Sequence, residues 1–102
     1  MDPHRIAKAL SDPIRWEILR LINRMEITCE KASPRGPGEN GLCVNELVEH
    51  LGLIQSKVSY HIRELKTAEL VREEARGRWI IYTVREETLK EYLEWMSSEF
   101  EL

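Results

Sequence analysis

The sequence predicts a mainly α-helical fold carrying one β-hairpin, and three stretches predict it. Val44 to Leu65 shows two short helical periods on either side of Gly52. Val71 to Val84 shows two runs of strand-forming residues around Arg76-Gly77-Arg78. Glu86 to Phe100 resumes a helical period, with apolar residues around much of its circumference.

Taken in order, Asp2 to Leu10 reads as a short helix with Ile6 and Leu10 on one side. Ser11-Asp12-Pro13 is a start signal, a capping side chain followed by proline in the first turn, where a missing N–H costs nothing. The helix that follows runs to about Arg24, with Ile14, Ile18, Leu21, Ile22 and Met25 as its apolar stripe and Leu19 extending it. Trp16 lies off the centre of that stripe, fitting either the margin of the core or a neighbouring surface. Thr28 to Asn40 has no period and holds two prolines and two glycines, which marks residues 28–41 as a long loop.

Val44, Leu47, Val48 and Leu51 then form one apolar helical face, and Gly52 stands where the chain must turn with positive φ. From Gln55 the period resumes, with Val58, Ile62 and Leu65 on the underside. Gln55, Ser56, Lys57, Ser59, Tyr60 and Arg63 are left on the other side. Amides and hydroxyls on such a face meet base edges in a DNA major groove, and cations meet phosphates. The strands at 71–84 place Arg76 and Arg78 at the tip of a hairpin, where a wing meets the DNA backbone or minor groove. Helix, turn, helix, hairpin, helix is the order of a winged helix-turn-helix, here a single domain over residues 1–102.

Glu86 and Glu87 suit the positive end of the last helix, over residues 86–100. Its apolar residues exceed what one side of a small domain buries, so a second subunit is expected. The expected contacts are Ile6, Leu89, Tyr92, Leu93, Trp95 and Met96, through the N- and C-terminal helices. A two-fold dimer sets two reading helices one DNA turn apart, matching a palindromic double-stranded site.

Composition bounds the alternatives. The chain has 102 residues, 42 % of them hydrophobic, which suits one domain with a modest core. No apolar run approaches membrane-spanning length and MDPHRIAKAL is not a signal peptide, so a cytoplasmic protein with no membrane partner is expected. The formal net charge is −3, unusual for a nucleic-acid binder. Its distribution is uneven: between residues 54 and 80, Lys57, Arg63, Lys66, Arg72, Arg76 and Arg78 outnumber Glu64, Glu69, Glu73 and Glu74 by two. Neither a Cys–His nucleophile pair nor a phosphate-binding glycine loop is present, which speaks against an enzyme. A winged-helix protein-interaction module without DNA binding is the remaining alternative class.

The segments IAKALSDPIRWEILRLI, ELVEHLGLIQSKVSYHIRELKTAELV and RGRWIIYTV resemble the opening helices, helix-turn-helix and wing of the ArsR/SmtB family of repressors. Gly77 to Tyr82, GRWIIY, resembles the arsenic-responsive branch. The resemblance implies a dimeric repressor released from its operator by an effector. It implies base-reading roles for Gln55, Ser56, Lys57, Ser59 and Tyr60, and a phosphate contact for Arg63. His61 falls on a frequent family histidine, while its helical position flanks the buried side. The family often has serine at position 54, proline at 56 and glycine at 69; this chain has Ile54, Ser56 and Glu69. The first weakens a helix cap and the last sets a side chain where positive φ is usual.

No resident cofactor is expected. For the effector, arsenic-type members carry C-V-C where this chain has Cys43-Val44-Asn45. Arsenite takes soft thiolates, so Cys43 with Cys29 from the loop is one expected metalloid site. A Cys29–Cys43 redox pair is a second reading, and a buried Cys43 beside an incidental Cys29 is a third. Zinc-type members place ligands on the last helix, where none of His4, His50 and His61 lies. Cys43 and His50 are seven residues apart on a helix, about 10 Å, too far to share one metal.

Overall fold

The computed structural model describes residues 1–24, 43–76 and 79–102. Seven elements follow one another: α1 (Pro3–Leu10), α2 (Pro13–Arg24), α3 (Val44–Leu51), α4 (Gln55–Thr67), β1 (Val71–Arg76), β2 (Trp79–Val84) and α5 (Glu86–Phe100). This is the mainly α winged-helix fold with a hairpin wing. The expected loop at 28–41, with Cys29, lies outside the described residues, as do Met25, Gly77 and Arg78.

Each boundary has a local cause. Asp2 caps α1, its Oδ1 accepting from the Arg5 amide at 3.1 Å. Asp12, not Ser11, opens α2: its Oδ1 accepts from the amides of Ile14 at 2.8 Å and Arg15 at 3.2 Å. Ser11 closes α1 instead, its hydroxyl donating to the Lys8 carbonyl at 2.7 Å. Gly52 ends α3 at φ +66°, its amide donating to the Val48 carbonyl at 2.9 Å. Helix α4 reaches Thr67, whose hydroxyl donates to the Arg63 carbonyl at 2.9 Å.

The end of α4 aims the wing. Glu69 adopts φ +60°, its amide donating to the Lys66 carbonyl at 2.9 Å and that of Leu70 to the Leu65 carbonyl at 3.0 Å. This pair of bonds closes a helix over a left-handed residue, where glycine is the usual occupant. The Leu70 carbonyl in turn accepts from the Arg85 amide at 2.9 Å, tying the start of the wing to the start of α5. Relieving the strain at position 69 stabilises the chain: Glu69→Gly is expected to raise the unfolding free energy by about 0.5–1 kcal/mol, read as a higher urea midpoint at unchanged slope. A lower midpoint would show that the Glu69 side chain contributes more than its backbone costs.

The strands pair antiparallel, from Val71 opposite Val84 to Arg76 opposite Trp79. Behind them lies one continuous core in which Ile6, Ile18, Ile22, Leu47, Val58, Leu65 and Leu70 are fully buried. Ile6 corrects an expectation. It is 0 % exposed, so its side chain lies within the protomer's own core and offers no surface to a second subunit. Helix α5 behaves differently: Thr88 is its one buried residue, and Leu93 stays 64 % exposed.

Candidate nucleic-acid interface

Helices α3 and α4 form the tight pair that the turn at Gly52 demands. Val58, Ile62 and Leu65 root α4 in the core. That anchoring leaves Gln55, Ser56, Lys57 and Arg63 exposed, Tyr60 49 % exposed and Ser59 half-buried. The expected reading residues thus share one outward face. Ile54 stands at the helix start and gives no side-chain cap, as its substitution for serine implies. Its carbonyl accepts from the amides of Lys57 at 3.1 Å and Val58 at 3.2 Å, at the positive end of the helix dipole. Such an end suits a phosphate.

The cations counted between residues 54 and 80 are not all unpaired. Lys66 Nζ pairs with Glu73 Oε2 at 2.9 Å, and Arg72 with Glu87 Oε1 at 2.7 Å. Arg85 reaches the same Glu87 oxygen at 3.2 Å, and Arg85 together with Arg72 helps hold that carboxyl below its usual range, after the first-turn amide of Glu87 itself. These pairs bind α4 to β1 and β1 to α5. Lys57 and Arg63 make no ion pair among the described residues, and both are exposed. Arg76 lies at the end of β1 and pairs in register with Trp79.

Two residues have structural tasks that the pattern alone did not assign. Arg15 is buried at the α1–α2 corner, its Nε donating to the Ala9 carbonyl at 2.9 Å and a terminal nitrogen to the Lys8 carbonyl at 3.4 Å. It closes α1 from outside, satisfying carbonyls the helix leaves open. Its spacing to Ile18, Leu19 and Ile22, on the apolar stripe itself, was the available signal. His61 is 4 % exposed and packs edge-on to Tyr60, ring centroids 5.2 Å apart. It is a packed histidine under the reading face; its Nδ1 finds no hydrogen-bond partner among the described residues.

Burial pushes the His61 pKa below the ordinary 6.5; Asp12 opposes the shift, and Arg15 and Lys57 add to it. The folded state therefore prefers neutral imidazole. Its contribution to stability is complete above about pH 6.5, is lost as pH falls through that value, and levels off below the depressed folded pKa. Urea midpoints are expected to drop between pH 7.5 and 5.5 in the wild type and to drop less in His61→Gln. Equal drops in the two would remove His61 from the account.

Cys43 occupies the cap position of α3, and its backbone amide donates to Glu46 Oε1 at 3.2 Å. The residue is 3 % exposed and packs with Ile81 and Trp79 of β2. It sits between the reading pair and the wing strand. Among the described residues no group of three or more His, Cys, Asp or Glu is placed to hold a metal. A single soft donor falls short of the three that arsenite takes.

A tight helix pair with a polar outward helix, followed by a two-stranded wing, is the arrangement of a winged helix. Residues 38–73 match the family described as "Bacterial regulatory protein, arsR family". An uncharacterised HTH-type transcriptional regulator of Methanocaldococcus jannaschii is 30 % identical over 89 residues, 86 % of this chain and 83 % of that protein. The arsenical resistance operon repressor of Bacillus subtilis is 32 % identical over 80 residues, 78 % of this chain and 63 % of that protein. Among solved structures, an ArsR-like transcriptional regulator from Rhodococcus sp. RHA1 superposes with a TM-score of 0.73 at 24 % identity, over 97 % of this chain and 82 % of that one. The chain belongs to the ArsR/SmtB family of winged-helix transcriptional regulators. No helix among the described residues is long and apolar enough to cross a membrane.

Proposed function

We propose that this regulator is a homodimeric repressor that binds a palindromic operator through Gln55, Ser56, Lys57, Ser59 and Tyr60, with Arg63 on a phosphate. Arg76 and Arg78 carry the wing to the flanking backbone. The outward polar face of α4 over a fully buried apolar underside is the observation that carries this reading. The uncovered face of α5 supports the dimer. Leu93 and Met96 line an apolar cleft of about 570 Å³ with Leu89, Tyr92 and the exposed Trp16, and Trp95 stacks on Tyr92 at 6.0 Å. A second copy covering this cleft removes apolar surface that a small domain otherwise leaves in water.

The effector reading is a thiophilic metal or metalloid such as arsenite, taken by Cys43 with Cys29 and, in the third position, a small thiol. The similarity to an arsenical resistance operon repressor supports it, as does the position of Cys43 between α3 and β2. Ligation of that thiol has to displace it from Ile81 and Trp79, which shifts the reading pair against the wing. A Cys29–Cys43 disulfide acts on the same contact and is an arm of the same test.

The experiment selects bound fragments from a genomic library, then titrates salt, then adds arsenite, antimonite, cadmium, zinc or a disulfide oxidant to the complex. A repressor gives sequence-selective binding that weakens steeply with salt. Fragments bound without selectivity or salt dependence would leave only the protein-interaction module. Release by arsenite that disappears in Cys29→Ser and Cys43→Ser supports the metalloid site, whereas release by oxidant alone supports the disulfide. A response unchanged in both variants would overturn both cysteine readings.

A further inference from the structure

A polar groove runs between α1 and α4. Asp2, Arg5 and Lys8 line one wall, and Tyr60, Glu64 and Thr67 line the other. Arg15 closes its floor. Arg5, Lys8 and Arg15 outnumber Asp2 and Glu64 by one, in a chain whose formal net charge is −3.

The cations differ in what holds them. Arg15 gives its hydrogen bonds to carbonyls, not to a carboxylate, so its charge acts on the groove as a fixed field. Lys8 makes no ion pair among the described residues, and its side chain is exposed. Among the described residues, the one ion pair of Arg5 is a 3.9 Å contact with Asp2, both side chains more than half exposed. An exposed pair of that length is readily exchanged for a better anion.

The position of the groove says which anion. Tyr60 belongs both to the outward face of α4 and to this wall. A helix about 10–12 Å across fills a major groove about 12 Å wide. Whatever flanks such a helix on its outward side therefore meets the sugar–phosphate strand at the groove's edge. On the hairpin side α4 is flanked by the Lys66–Glu73 pair, which is neutral. On the opposite side it is flanked by Arg5 and Lys8.

We infer that the α1–α4 groove is a second seat for the DNA backbone, in which Arg5, Lys8 and the Tyr60 hydroxyl take phosphates of the strand bordering the major groove that α4 enters. This rests on the reading of α4 given above. It moves Tyr60 from a base-reading role to a phosphate contact, and it gives α1 a binding task.

The test is the salt dependence of binding to a selected operator fragment. Removing one cation from a phosphate lowers the slope of log K against log salt by about 0.9. Arg5→Ala and Lys8→Ala are each expected to flatten the slope by at least that amount and to weaken binding equally on operator and on random duplex. Lys8→Arg is expected to restore the slope, and Lys90→Ala on α5 to leave it unchanged. Thermal midpoints of the variants check that the fold is intact, since both side chains are exposed. Selective binding by the wild type with an unchanged slope in Arg5→Ala and Lys8→Ala would overturn the inference and leave the α4 reading standing. Absence of selective DNA binding by the wild type would overturn both.

Discussion

A Gln55→Ala, Lys57→Ala double variant is expected to lose at least about 100-fold of its preference for operator over random duplex while keeping the wild-type thermal midpoint. A good side-chain-to-base pair contributes about 1–3 kcal/mol of discrimination, and a dimer repeats each pair in both half-sites. Both residues are exposed in the first turn of α4, and neither has a packing role that the core depends on. Fold and recognition are therefore separable here. Competition binding with labelled operator and unlabelled random duplex, run beside a thermal melt, reads both quantities. A variant that keeps its preference would place the base contacts elsewhere.

The second large effect is on stability. Leu65 is fully buried on the underside of α4, and its carbonyl receives the Leu70 amide that starts the wing. Leu65→Ala removes buried methyl groups and leaves a cavity, an expected loss of about 2–5 kcal/mol. Domains of this size have about 5–15 kcal/mol in total, so much of the margin disappears. At roughly 4–8 °C per kcal/mol, the midpoint is expected to fall by at least about 10 °C. Tyr60→Ala, one turn away on the outward face, is expected to stay within about 0.5 kcal/mol. A small loss at Leu65 would mean that the neighbouring side chains collapse into the space it leaves.

What the sequence made legible was periodicity and punctuation. Val58, Ile62 and Leu65 at helical spacing marked the underside of α4, and they are buried. Gly52 marked the turn, and the exchange of glycine for Glu69 marked a left-handed residue; both have positive φ. Ile54 marked an uncapped helix start, and it provides no side-chain bond. These are local properties, fixed by a residue and its near neighbours.

What it hid was contact between distant segments. Ile6 sits on an apolar stripe whether that stripe meets this chain's core or another chain, and periodicity does not distinguish them. Lys66 and Arg72 counted toward the basic balance of residues 54–80, but a balance does not say that Glu73 and Glu87 pair with them. The spacing of Arg15 set it on the apolar stripe of α2, but its bond to the Ala9 carbonyl at the end of α1 depends on how two helices meet. The approach of α1 to α4 needs the whole core in place, so Arg5 and Lys8 carried no signal at all. The reading face was legible because one helix defines it; its surroundings were not, because four elements do.

The central claim is that the outward face of α4 enters the major groove of duplex DNA. Amide chemical-shift mapping of the isotope-labelled chain against a selected operator duplex tests it most directly. The account predicts the largest shifts over residues 55–63 and along the hairpin, with smaller ones at Arg5 and Lys8 and little change along the exposed face of α5. Shifts concentrated on α5 and the cleft beside Trp16, with residues 55–63 unmoved, would contradict it.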